Sequence, residues 1–178
     1  MFRKVRSAVR FAPTIVDTAR EFITSSFGGG KFIAVHWRHG DIFNMDPAGE
    51  LKRHGSRTLM KRVRKAMDTN HPGELSSVSG VFLLTNCHYE PELRAVAKEA
   101  KRHLGVKLVR YMNPSDWVLA TAVDLAIASQ SDYLYFTHCG SFFTTFIEQE
   151  RDMDENGVYQ PGHHQNPPEC LEVVVPEQ

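Results

Sequence analysis

The run Phe32-Ile33-Ala34-Val35-His36-Trp37-Arg38-His39-Gly40-Asp41 changes character halfway along. A short apolar stretch gives way to two histidines, an arginine and an aspartate. A buried parallel strand that delivers polar side chains to a ligand at its carboxyl end has this form. Arg38 suits a phosphate, because its planar fork donates two parallel hydrogen bonds and keeps its charge at all working pH values. On this reading Arg38 grips a diphosphate and His36 helps orient it. The plainer alternative is a structural ion pair between Arg38 and Asp41.

Two further features bear on the same question. Thr137-His138-Cys139-Gly140-Ser141 leads into Phe142 and Phe143, and Ser141 is a good helix cap. The free N–H groups of a helix N-terminus, with the positive end of its dipole, form an anion site. Phe142, Phe143 and Phe146 also fit a core, and the two roles are compatible. Asp124 is the only ionisable residue from Val118 to Ser129. A helix apolar nearly all round is expected to be buried, and a buried carboxylate is costly without donors. Guanine supplies two donors side by side, N1–H and the N2 amino group, which match the two carboxylate oxygens. A backbone N–H or an arginine would serve equally on sequence alone.

The elements around these residues alternate. Pro13 opens a helix with Ile15, Val16, Ala19, Phe22 and Ile23 on one face, and Gly28-Gly29-Gly30 ends it. Lys31 to His36 reads as a strand. Ser56 caps a helix to about Asp68, with Met60, Val63 and Met67 inward. Val81 to Thr85 is a second strand, ending in Thr85-Asn86-Cys87-His88. Pro91 begins a helix that Gly105 stops, and Val106 to Val109 is a third strand. Pro114 begins a helix to about Ser129, Tyr133 to Phe136 is a fourth strand, and Ser141 starts a helix to about Arg151. Leu171 to Val175 is expected to add a short last strand. This order predicts an α/β protein with a Rossmann-like parallel sheet and helices on both faces. Topology then brings three polar strand ends to one edge. No GxGxxG or Walker A pattern is present.

Composition fits a single globular domain over residues 1–178, with a loop-rich tail at 153–178. Hydrophobic residues make up 42% and charged residues 24%, an ordinary balance. The formal net charge is zero, so bulk electrostatics give no reason to expect nucleic acid or an anionic membrane as partner. No apolar run reaches the length of a membrane span, and the basic N-terminus lacks the pattern of a signal peptide. Cys87, Cys139 and Cys170 lack zinc-site spacing, and their odd number leaves at least one free thiol. Cys139 reads as a buried thiol rather than a nucleophile. The basic face of Arg57, Lys61, Arg62, Arg64 and Lys65 reads as solvated surface. Glu148, Glu150 and Asp152, with Arg151, read as surface ion pairs, and His163-His164 as tail residues.

Taken in order, the motifs resemble those of the GDP-fucose protein O-fucosyltransferases. Val35-His36-Trp37-Arg38 looks like that family's H-x-R motif, with Asp41 at an acidic position found after it. Ala122-Val123-Asp124-Leu125 looks like its V-D-L stretch. Ser141-Phe142-Phe143-Thr144-Thr145-Phe146, followed by Glu150-Arg151-Asp152, looks like its S-S-F-x-x-F…E-R-D segment. Phe142 stands where the family has a second small residue, and the interval from Asp124 to Phe143 is one residue longer. The resemblance implies one half of a GT-B glycosyltransferase, the carboxyl-terminal, nucleotide-binding half, with the amino-terminal acceptor-side domain absent. It implies inverting transfer of fucose from GDP-fucose to a Ser or Thr hydroxyl of a protein or glycan acceptor, without a metal or other cofactor. His36, Trp37 and Arg38 would contact the nucleotide sugar, with Arg38 on the β-phosphate as the catalytic group. Asp124 would read the base, and Phe142 and Phe143 would lend backbone donors to the phosphates. The family further suggests the endoplasmic reticulum or Golgi lumen. A GDP-sugar-binding module without transfer activity, or a transferase using another GDP-sugar, are the alternatives.

Overall fold

The computed structural model describes residues 10–39, 55–138, 142–153, 166 and 169–171. Helix α1 (Pro13–Phe27) begins with proline in its first turn, where a missing N–H costs nothing. It ends where Gly28 takes a left-handed conformation (φ 62°) and donates its N–H to Thr24 O at 2.9 Å. Strand β1 (Lys31–Trp37) follows at once. Helix α2 (Ser56–Asn70) and a short 3-10 turn (Glu74–Ser77) lead to β2 (Val78–Thr85). Then come α3 (Glu90–Leu104), β3 (Lys107–Val109), α4 (Trp117–Ser129), β4 (Tyr133–Phe136), α5 (Phe142–Arg151) and β5 (Glu169–Cys170).

All strand pairs are parallel, in the order β3-β2-β1-β4-β5. β1 is the centre. It pairs with β2 up to Trp37 opposite Thr85, and with β4 up to His36 opposite Phe136. Side chains alternate between the two faces of the sheet. Ile33, Val35 and Trp37 pack with Leu59, Met60, Val63 and Met67 of α2 and with Leu93, Val96 and Ala100 of α3. Phe32 and Ala34 pack with Ala19 and Phe27 of α1, Val123 and Ile127 of α4, and Ile147 of α5. Helices therefore cover both faces, as the alternating pattern predicts, and β1 is buried from Phe32 to Trp37.

Several boundaries differ from the sequence pattern, each for a local reason. β2 starts at Val78 rather than Val81 because Gly80 lets the sheet pass under the Phe27 ring. That ring is stacked on Phe32 at 4.5 Å. Helix α4 starts at Trp117, not after Pro114. Asn113 Oδ1 accepts the Ser115 N–H (3.2 Å) and hydroxyl (2.7 Å), which closes a turn around the proline. Asp116 then caps the helix by accepting the Leu119 N–H at 2.9 Å. Gly55, not Ser56, stands at the N-cap of α2. The last strand is at Glu169–Cys170, starting two residues earlier than expected, and Leu171 N–H continues it to Phe136 O at 2.8 Å. Residues 172–175, where the pattern places the rest of that strand, lie outside the described residues, as do His163 and His164.

Two basic residues are not the surface groups that the sequence suggests. Arg62 donates to Leu171 O and so ties α2 to the sheet edge. Arg151 is only 4% exposed. Its Nη1 donates to Ser131 O (2.6 Å) and Ser131 Oγ (2.9 Å), and its Nη2 to Asn166 O (3.0 Å). It therefore locks α5 to the turn between α4 and β4. Glu150 pairs instead with Arg10, at 3.7 Å.

A Cβ on residue 80 would lie 2.8 Å from Phe27 Cε1 and 3.3 Å from Lys107 O. Gly80→Ala is expected to cost about 1–3 kcal/mol by overpacking. A lower midpoint in urea, with the slope unchanged, is the expected result.

Candidate functional site

The carboxyl ends of β1, β2 and β4 meet at one edge of the sheet, where open α/β sheets bind ligands. The chain leaving β1 is held from both sides there. Thr137 N–H donates to His36 O (3.1 Å), and Arg38 N–H donates to Thr137 Oγ1 (3.2 Å). His39 N–H donates to Asn86 Oδ1 at 2.8 Å. These bonds fix where the residues after β1 can point.

A cavity of about 370 Å³ opens at this edge. His36 contributes from β1, Leu84 and Thr85 from β2, and Asn86 and His88 from the loop that follows. Helix α4 contributes Trp117, Thr121, Asp124 and Leu125, and α5 contributes Phe143. A mostly apolar cleft with a few converging polar groups is the usual form of a small-molecule site.

His36 shares the sheet face of Phe32 and Ala34 and is 8% exposed. Its Nδ1 lies 3.4 Å from the Thr144 hydroxyl of α5, and its ring lies 6.2 Å from that of Phe143. Burial pushes its pKa down to about 4, and the positive charges of Arg38 and His138 add to this. His36 is therefore neutral at pH 7, a hydrogen-bonding group rather than a cation. Asp124 is shifted the other way. Burial pushes its pKa up to about 7, against the attraction of Arg110. Its Oδ1 is buried with no hydrogen-bond partner among the described residues. A carboxylate held in this state lacks a donor, and it faces a cavity able to admit one.

The structure thus brings His36, Asp124 and Phe143 together. Arg38 immediately follows β1 and acts electrostatically on His36, outside the cavity lining. Trp37 does not join them. Its side chain points to the opposite face of the sheet and is 1% exposed in the core against α2 and α3. Any contact it makes with a ligand at this edge must come from its backbone. Asp41 and Ser141 lie outside the described residues. Phe142 opens α5, and its side chain also lies outside them. Cys87 is a free, buried thiol whose pKa burial raises, as a structural cysteine's should be. Trp117, Thr121 and Arg110 were not singled out by sequence. The first two carry a legible signal, because with Asp124 they are spaced i, i+4, i+7 on one helical face.

Comparison with known proteins gives the family and the fold. The family model for GDP-fucose protein O-fucosyltransferase matches residues 2–154. The chain therefore belongs to that family. Among solved structures it is similar to POFUT1 in complex with GDP, with a TM-score of 0.61 and 16% identity over 95% of this chain and 51% of that one. POFUT1 in complex with GDP-fucose gives 0.60 and 14%, over 95% and 49%. The NodZ α-1,6-fucosyltransferase soaked with GDP-fucose gives 0.53 and 17%, over 85% and 48%. The chain spans about half the length of these structures and has the Rossmann-like fold of one half of a GT-B fucosyltransferase. Among curated proteins none matches. No helix among the described residues is long and apolar enough to cross a membrane.

The folded-state pKa of Asp124, about 7, lies above its ordinary value of 3.8. The ionised form thus costs stability. The cost is absent below pH 3.8, grows as pH rises to 7 and is complete above it. Asp124→Asn is therefore expected to stabilise the ligand-free protein by roughly 1–3 kcal/mol at pH 8 and by little at pH 4. Thermal unfolding at the two pH values checks this.

Proposed function

We propose that this chain binds GDP-fucose at the carboxyl edge of its sheet and serves as the donor-nucleotide domain of an O-fucosyltransferase. The observation that carries the reading is the half-buried carboxylate of Asp124, whose Oδ1 is buried without a hydrogen-bond partner among the described residues, on a cavity at the strand ends. Guanine fits it because N1–H and the N2 amino group can reach both oxygens. Adenine offers an acceptor at N1 and no donor at C2. Family membership over residues 2–154 supports the nucleotide and the sugar together.

On this reading Arg38 binds the β-phosphate. The amides of Phe142 and Phe143, in the first turn of α5, donate to the phosphates. The acceptor hydroxyl attacks the anomeric carbon of fucose from the side opposite GDP. The bond to the β-phosphate oxygen breaks, the centre inverts, and the hydroxyl proton passes to a base. Arg38 and the helix amides stabilise the charge that develops on GDP, so its departure needs no metal. Neutral His36 holds the donor without adding a second cation. Asp41 and Ser141 belong to the same proposed contact set. The acceptor is a Ser or Thr hydroxyl, and the compartment that suits the family is the lumen of the endoplasmic reticulum or Golgi. A second reading keeps the nucleotide site without transfer, or with another GDP-sugar.

Thermal shift and calorimetry with GDP-fucose, GDP and ADP test the proposal. GDP at one hundred times its Kd should stabilise the fold by about 2.7 kcal/mol. Equal responses to GDP and ADP, or none to either, would contradict it. Arg38→Ala should weaken GDP much more than guanosine, whereas Asp124→Asn should weaken both. Because guanine needs the ionised carboxylate, GDP affinity should be about tenfold weaker at pH 6 than at pH 8. Turnover of GDP-fucose separates transfer from binding alone, and competition with GDP-mannose separates the sugars.

A further inference from the structure

Trp117 is 78% exposed, the most exposed of the large apolar side chains among the described residues, yet it lines the cavity that holds Asp124. A large indole left in water at the mouth of a cleft has a function more often than a scattered surface residue does. Its place on α4 is fixed. Asp116 caps the helix through the Leu119 N–H, and the Thr121 hydroxyl donates to Trp117 O at 2.8 Å. Trp117, Thr121 and Asp124 all line the cavity, and their spacing puts them on one face. Two helical turns, about 10.5 Å, separate Trp117 from Asp124. One hydrogen bond plus the long axis of a purine covers a similar distance. A pyrimidine held at Asp124 would stop short.

We infer that Trp117 is a stacking platform for the purine whose edge Asp124 reads. This rests on the proposed nucleotide site and goes beyond it. Asp124 selects by hydrogen bonding along the edge of the base, while Trp117 selects by the area and length of its flat face. Discrimination against pyrimidine nucleotides then comes from the indole, and discrimination between guanine and adenine from the carboxylate. Trp117 is a positioning residue. It sets the depth of the base and hence where the diphosphate meets Arg38.

The chain has only two tryptophans, which gives a direct readout. Trp37 is 1% exposed and Trp117 is 78% exposed, so acrylamide should quench Trp117 selectively. GDP binding is expected to quench the same exposed component and to shield it from acrylamide, and Trp117→Phe should abolish both signals. By calorimetry Trp117→Ala should weaken GDP and guanosine by the same factor, about fivefold to a hundredfold, the range of base–aromatic stacking. Pyrophosphate binding should not change. Trp117→Phe should restore most of the affinity, and a melting temperature like that of the parent shows that both variants are folded. GDP binding to Trp117→Ala within twofold of the parent, with no fluorescence change in the parent, overturns the inference and leaves the nucleotide site standing. Absence of any GDP binding by the parent chain overturns both.

Discussion

The structure depends on the parallel pairing of β1 between β2 and β4. That register places Trp37 opposite Thr85 and His36 opposite Phe136, so both neighbouring strands end level with the polar cluster. It also decides which side chain faces which layer. A slip of one residue would turn His36 into the apolar core under α2 and α3 and push Trp37 toward the cavity. The hydrophobic cost of exposing Ile33, Val35 and Trp37 prevents it, because all three are essentially fully buried. The core therefore positions the site. Packing of Trp37 on one face is what holds His36 on the other.

Two ionisable groups on the same side of the sheet show the difference between structure and function. Arg151 and Asp124 are both largely removed from water. Arg151 donates to carbonyl and hydroxyl oxygens at the end of α4 and to Asn166, and these bonds offset its burial. Asp124 has only the electrostatic influence of Arg110, and its Oδ1 lacks a partner among the described residues. One is a bolt and the other an unfilled valence. Protein interiors tolerate the second kind where a ligand completes it, and stability is then given up for binding. Neutral His36 fits the same account. A protonated ring there would add a second positive charge beside Arg38, and burial prevents it.

Much of this was legible in the sequence. The alternation of strand and helix, the polar ends of β1 and β4 and the lone aspartate of α4 follow from periodicity and from the types of residue that interrupt it. The motifs resembled the family that the chain proves to belong to. What was not legible depended on the third dimension. Arg151 sits beside acidic residues in sequence, so a surface ion pair was the natural reading; only the fold brings Ser131 and Asn166 to it. Trp37 stands between His36 and Arg38 in the motif, but strand alternation sends it to the other face. The start of α4 is not legible because Asn113 and Asp116 compete for backbone N–H groups near Pro114, and propensity alone does not decide that competition. Trp117 does not stand out in the sequence, because an aromatic at the start of an apolar helix looks like core until its exposure is known.

The central claim is that Asp124 waits for a donor-bearing base, and carbon-13 NMR of the carboxyl groups in labelled protein tests it most directly. The Asp124 signal, assigned through Asp124→Asn, should titrate with a pKa of about 7 in the free protein. Saturating GDP should lower that pKa by more than one unit, because two hydrogen bonds from guanine favour the charged form. ADP should leave it in place. A free-state titration in the ordinary aspartate range, or a curve that GDP does not move, would contradict the account.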